Sequence, residues 1–506
     1  MNRLLHMFVL ASLAAAPLAA QQSAKLATPP ATPAPSLYNG TDEYSLKISV
    51  THYNREAGHW DEPKDRPTRV VEQLKGFTPR ITPTDQYGGR LDRSAHATGF
   101  YYTKKIDNRW WVVDPAGHLM LHIGVATVRP LESPNADRAL HATFGNKANW
   151  MAQTHTLLLK NAFNGTGGWS DVDAIRSSPL QSTRPLAYTI ILDVMSSYGH
   201  VRSRGERSHQ GTGHSAYPAD TIFVFDPEFP AYAAEHLKKF AQYADDPNLF
   251  GYFSDNEMPL YRNNLDGYLS LPASDPGHQA AQKFLDDHHA KEPTDDLRTE
   301  FLAFEVDRYF SIVNDAIRSV DKNHMLIGAR FNKQNHLPEV FTAAGRYCGV
   351  ISVNYYEAWQ PDPTLLDQWE QASGRPILVS EFYAKGKDSG MPNHTGAGWL
   401  VDTQYQRGLF YQNFTLGLLE SGNSIGWNWF RYQDNDPTDP HADPSNADSN
   451  KGIVSATYAP WQPLLDRMHQ LNQLAYALTD YFDARKKSGA APVSNQAAPS
   501  RTGNSK

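Results

Sequence analysis

Cysteine is almost missing from this chain. Cys348 is the only one in 506 residues, so no internal disulfide can form and no cysteine-rich zinc site can be built. Long basic runs are missing as well. The net charge is −7, which argues against nucleic acid as the main partner. Only one apolar stretch stands out, Leu4 to Leu18, and it is short for a membrane span. Arg3 precedes it and Ala19-Ala20 follow it, the pattern of a secretory signal over 1–20 cleaved near Ala20. No cysteine lies there to carry a lipid anchor. A secreted or periplasmic protein with no membrane attachment after cleavage is therefore expected. No repeat of fixed short period is present. The first apolar strand ends GVATVRP, without the Gly-rich phosphate loop that opens a dinucleotide-binding fold. No cofactor and no metal site are expected.

Hydrophobic residues make up 40% and charged residues 20% of the chain, enough apolar material for a sizeable core. Aromatics reach 11%, common where rings stack on sugars but equally at home in a large core. A Pro/Ala-rich linker over 21–37 and a polar tail over 486–506 should be extended or disordered. Alternating segments such as SLKISVTHY and TGFYYTKKI suggest a small N-terminal β element over 38–108.

From 109 to 485 the pattern becomes strand, then helix, repeatedly. Candidate strands are 119–128, 161–170, 187–195, 250–257, 325–331, 349–356, 376–383 and 424–432. Helical spacing of apolar residues marks 228–244 and 301–320. Eight strands alternating with helices predict an α/β fold, a (β/α)8 TIM barrel with the small β-rich element before it. An open doubly wound sheet is the alternative.

In such a barrel the C-terminal strand ends form the active face. Here the fourth ends Asp255-Asn256-Glu257 and the fifth at Arg330. The sixth ends Asn354-Tyr355-Tyr356-Glu357, the seventh Ser380-Glu381-Phe382-Tyr383, and the eighth Trp427-Asn428-Trp429. Glycoside hydrolysis needs two carboxyl groups, one protonated to donate to the leaving oxygen and one ionised to attack the anomeric carbon. The fourth and seventh strands face each other across a barrel mouth, and Glu257 and Glu381 are the natural pair. Asn256 is suited to donate to a sugar 2-hydroxyl. A lone strand-end glutamate more often caps or pairs a charge, but two on these strands shift the balance.

The motifs DQYGGR (85–90), RWWVVDPAGHLML (109–121), FNGTGGWSD (163–171), GYFSDNE (251–257), ISVNYY (351–356), ILVSEFYAKGKDSGMPNH (377–394) and IGWNWFRYQD (425–434) occur in that order. The series resembles the clan A glycoside hydrolases and, more finely, the family-50 β-agarases, from about Asp85 to about Tyr476. The resemblance implies a retaining β-glycosidase with Glu257 as acid/base and Glu381 as nucleophile. It also implies Tyr356 as a hydrogen-bond donor to the nucleophile and Trp429 as the sugar platform. Arg330, Asn256 and Trp169 are implied as contacts to substrate or to the carboxylates, and Asn354 joins the substrate-binding set. A carbohydrate partner follows, β-galactosidic if the agarase likeness extends that far. A non-catalytic sugar-binding barrel and a transglycosylase using the same carboxylates remain open.

Other features read more plainly. The alternation Trp427-Asn428-Trp429 is taken to split the indoles between core and cleft, Trp429 on the sugar side. Trp359 and Trp399 are rim-packing residues before they are sugar platforms. The acidic loop 434–450 lacks the glycine and terminal glutamate of an EF-hand and reads as solvated. His209 and His214 read as part of a loop. Asp114 and His118 read as a turn without chemistry.

Overall fold

A computed structural model describes residues 42–54, 57–202, 217–332, 336–439, 442 and 446–489. The expected signal, the linker, most of the tail, and His209 and His214 lie outside these residues. Strands buried on both faces read as unbroken apolar runs, and the runs noted above become strands β1 (His122–Val125), β2 (Gly165–Thr166), β3 (Tyr188–Ile191), β4 (Leu249–Phe253), β5 (Met325–Leu326), β6 (Ile351–Asn354), β7 (Ile377–Phe382) and β8 (Ser424–Trp429). All pair in parallel, in one sheet of order β2-β1-β8-β7-β6 and another of order β3-β4-β5. Single parallel bridges link Gly165 with Ala187, beside β2 and β3, and Phe331 with Val353, beside β5 and β6. Parallel neighbours require crossovers, and helices supply most of them. The fold is α/β.

The expected strands are each present but shorter, and the first is divided. His118–Met120 pairs antiparallel with Arg109–Val113 and Arg90–Ser94 before the chain passes into β1. A boundary between 108 and 109 therefore cuts a hairpin. Tyr102–Ile106 pairs with Arg109–Val113 through Asp107 and Asn108, both at positive φ (53° and 62°), as a two-residue hairpin turn requires. The expected 228–244 helix is α-helical over Phe229–Leu237 and tightens to a 3-10 helix over Lys238–Tyr243. The expected 301–320 helix starts earlier, at Asp295, because the Thr294 side chain accepts from the Leu297 amide at 3.3 Å; this is the N-cap contact. The last helix, Ala475–Lys487, runs past 485.

The antiparallel hairpin seals the N-terminal end of the parallel strands. Thr103 Oγ1 donates to the Gly349 carbonyl ahead of β6, and the Trp110 amide to the Gly422 carbonyl ahead of β8. Val112 and Met120 join Phe250, Met325, Leu378 and Ile425 in one buried apolar cluster. This plug leaves the opposite, C-terminal strand ends free for polar side chains. Residues 46–74 are anchored on the helix Gln404–Ser421, where Asn413 and Gln412 accept from the Arg69 and Val71 amides. Among the described residues no helix is long and apolar enough to cross a membrane.

Candidate functional site

A cavity of about 1340 Å³ opens at the C-terminal strand ends, and Trp169, Asn256, Glu257, Asn354, Tyr356 and Glu381 all line it. The two candidate carboxylates thus face one space. Glu381 lies in β7 with only 8% of its side chain exposed. One of its oxygens accepts from Arg330 Nη2 and the other from the Tyr356 hydroxyl. Arg330 sits behind Glu381, fully buried, and its Nε donates to Asn256 Oδ1 at 2.7 Å. It does not line the cavity, so of its two expected roles it fills the contact to the carboxylate. Burial lowers the Arg330 pKa to about 10, which leaves the guanidinium charged at neutral pH.

Glu257 has different company. Asn354 Nδ2 donates to its Oε1 at 2.6 Å. The orientation of that amide is fixed from behind, because the Ser380 hydroxyl donates to Asn354 Oδ1 at 2.8 Å. A guanidinium and a hydroxyl thus hold Glu381, and the Asn354 amide is among the partners of Glu257.

The triplet Asp255-Asn256-Glu257 divides its labour. Asp255 is fully buried and turned away from the cavity. It accepts from the Met195 and Ser196 amides, at 2.9 Å each, in the first turn of the helix Val194–Arg202, and from the Tyr309 hydroxyl. Burial pushes its carboxyl up to about 7. Asn256 and Glu257 alone reach the cavity. Glu257 does so at φ 48°, in the left-handed region. Thr127, Trp169, Asp193, Arg330 and Glu357, past the ends of five other strands, share that conformation. It is costly for residues other than glycine and recurs at functional sites.

Trp429 is corrected. It is fully buried, its Nε1 donates to the Lys451 carbonyl at 2.8 Å, and it packs on Phe382, Phe410 and Tyr411. Residues two apart on a strand share a face, so Trp427 and Trp429 point together toward the helix Gln404–Ser421. The inward residue is Asn428, whose Oδ1 lies 3.1 Å from His122 Nε2. Trp359 is buried, donating to Thr68. Trp399 packs edge-on to His52 under Arg66. In the acidic loop, buried Asp434 accepts from the Asn450 side chain, the Gly452 amide and Trp461. Asp436 accepts from Ser133 and Thr438. These carboxylates are bound within the protein rather than solvated.

Several cavity residues had no sequence expectation. Tyr383 meets Tyr356 edge-on at 5.5 Å, and Lys451 Nζ lies 4.9 Å from the Phe430 ring centre. These aromatics follow directly on β7 and β8, which was the available signal. His52 and Tyr53 close the rim from the N-terminal segment, a placement that no local pattern encodes. Trp169 also lines a second cavity of about 750 Å³, shared through Arg129 to Glu132, where Asp193 sits. Burial pushes the Asp193 carboxyl up to about 6.

This α/β architecture is shared with solved structures. The crystal structure of BpGH50 superposes with a TM-score of 0.75 at 26% identity, covering 87% of this chain and 96% of that one. The structure of an exo-β-agarase superposes with a TM-score of 0.65 at 19% identity, covering 81% and 70%; this second likeness bears on the fold alone. In sequence, β-agarase B of Vibrio sp. (strain JT0107) is 25% identical over 518 residues, 83% of this chain and 53% of that protein. β-Agarase A of the same strain is 29% identical over 211 residues, 40% of this chain and 20% of that protein. The chain thus spans about half the length of the first relative and a fifth of the second. No protein-family model matches it. The chain resembles the family-50 β-agarases.

Proposed function

We propose that this protein is an exported retaining glycoside hydrolase that cleaves β-galactosidic links in a poly- or oligosaccharide, on a closed (β/α)8 barrel preceded by a small β-rich element. The reading rests on one observation above all: Glu257 and Glu381 face a single cavity, with Glu381 held by Arg330 and Tyr356. The parallel bridges between β2 and β3 and between β5 and β6 support closure of the strand set. The apolar stretch after Arg3 supports export. The names of the two β-agarases similar in sequence support the substrate class.

In the proposed reaction Glu381 attacks the anomeric carbon as the bond to the leaving oxygen breaks. The Glu257 proton passes to that oxygen. Water then attacks the glycosyl ester on Glu381, giving its proton to Glu257, and Glu381 leaves as a carboxylate. Arg330 and Tyr356 hold Glu381 in its attacking orientation, and Asn354 holds Glu257. Asn256, tethered by Arg330, is placed to meet a sugar hydroxyl. Trp169, Tyr383 and Phe430 supply the ring surface once assigned to Trp429.

The test is hydrolysis of β-linked galactans and aryl β-galactosides, with products resolved by chromatography. Glu381→Ala should remove nearly all turnover and leave sugar binding measurable. Turnover close to wild type in that variant overturns the nucleophile. Sugar binding without turnover in the wild type would mean a non-catalytic barrel. Products longer than the substrate would mean transglycosylation.

A further inference from the structure

At the opposite, N-terminal end of the strands a second polar cluster lies outside the cavity lining. Asp85, Asp114 and His118 each offer one ligand atom, and these atoms lie within 4.8 Å of one another. Each aspartate is held by one oxygen. Asp85 Oδ1 accepts from the Tyr87 and Gly89 amides at 2.9 Å each, and Asp114 Oδ1 from the Ala116 and His118 amides at 2.9 and 3.0 Å. The other oxygens face inward. Asp85 Oδ2 lies 2.9 Å from His118 Nδ1. Asp114 is fully buried, yet its Oδ2 has no hydrogen-bond partner.

Two carboxylates facing each other out of water repel unless a positive charge lies between them. A single His118 proton can serve Asp85 but leaves Asp114 Oδ2 bare. Gly89 keeps the space open, since a Cβ there would lie 2.0 Å from Asp114 Oδ2. The donor set is one imidazole nitrogen and two carboxylate oxygens. Imidazole suits first-row metals and is a poor ligand for calcium. His118 is 24% and Asp85 10% exposed, which gives an ion a way in.

We propose that Asp85, Asp114 and His118 bind a divalent first-row cation, zinc foremost, with water completing the coordination. The ion would clip the 84–94 segment to the turn between Arg109–Val113 and His118–Met120. Its role is structural, because the ligands lie at the far end of the strands from Glu257 and Glu381. The proposal does not depend on the catalytic reading.

The test uses the full chain, stripped with EDTA and dialysed against zinc or manganese. Metal content is measured by elemental analysis and melting temperature by calorimetry. The wild type should retain close to one ion per chain and melt several degrees higher when loaded. Asp114→Asn should bind none, yet melt at or above the stripped wild type, because its amide can donate to Asp85 Oδ2. His118→Ala, at the most exposed ligand, should also lose the metal-dependent rise. Absence of bound metal in the wild type, or an equal rise in all three proteins, overturns the site and leaves a carboxyl pair sharing a proton only.

Discussion

Replacing Arg330 by methionine tests the heart of the proposed mechanism. The guanidinium is fully buried and bonds both Glu381 and Asn256. Methionine keeps most of the volume but leaves the Glu381 carboxylate, 8% exposed, without its cation. Removing one partner of a buried ion pair costs about 3–5 kcal/mol. A folded body of roughly 450 residues unfolds with an entropy near 0.9 kcal/mol/K, so that loss lowers the melting temperature by only about 3–5 °C. The variant should therefore fold. Its activity should suffer far more. Two charge-assisted hydrogen bonds at about 1.5–3 kcal/mol each correspond to a fall of about 10²–10⁴ in kcat/KM. Arg330→Lys keeps the charge but cannot span both acceptors, and should fall between wild type and methionine. Scanning calorimetry and aryl β-galactoside kinetics on the three proteins decide the matter. A methionine variant that melts no lower than wild type and turns over within tenfold of it would mean that Arg330 fills space and does not hold Glu381.

Three further outcomes follow from the same geometry. Tyr356→Phe removes the hydroxyl that donates to Glu381 and should lower kcat/KM about 10–100-fold, the value of one charge-assisted bond, with little change in melting temperature; an unchanged rate refutes the contact. Trp169→Ala should raise KM, whereas Trp429→Ala should destabilise by about 3–5 kcal/mol through its cavity and the milder Trp429→Phe should leave KM unchanged; a raised KM in Trp429→Phe would restore Trp429 to the cleft. Glu305 is fully buried, bonded by Tyr268 and Asn264, and pushed up to about 8 by burial. A raised folded-state pKa stabilises fully below the unfolded value near 4.5 and is lost as pH rises through 8, so Glu305→Gln should gain melting temperature on wild type across that window, and a pH-independent difference would refute it.

Much of the architecture was legible because burial on both faces leaves a plain signature. LFGYF, ISVN, ILVSEF and SIGWNW are buried throughout, and such runs announce strands without reference to neighbours. The short strands were less legible. Gly165-Thr166 is a strand only because Gly124-Val125 lies beside it, and glycine-rich sequence carries no periodicity to count. The hairpin across 108 was written in Asp107-Asn108, a pair that tolerates positive φ, but helix-and-strand counting gave it no weight.

The site divides along a similar line. Of the residues reached by reading strand ends, Asn256, Glu257, Asn354, Tyr356 and Glu381 line one cavity, because chain direction in a parallel sheet fixes which end is open. What failed was facing. Trp427 and Trp429 share a face by the period of the strand alone, and the glycines say which face it is. Gly124 and Gly167 crowd Asn428 so closely that Cβ atoms there would lie 2.2 and 2.8 Å from its side-chain atoms. Only a small polar residue fits inward, so both indoles must go outward. The triplet at 255–257 shows the other limit. Asp255 turns to a helix start 60 residues upstream, and Glu257 reaches the cavity only because its backbone is left-handed. Each such residue costs on the order of 1–2 kcal/mol. The fully buried strands beneath supply the rigidity to hold that conformation past six strand ends at once, which ties the plainest feature of the sequence to the least legible feature of the site.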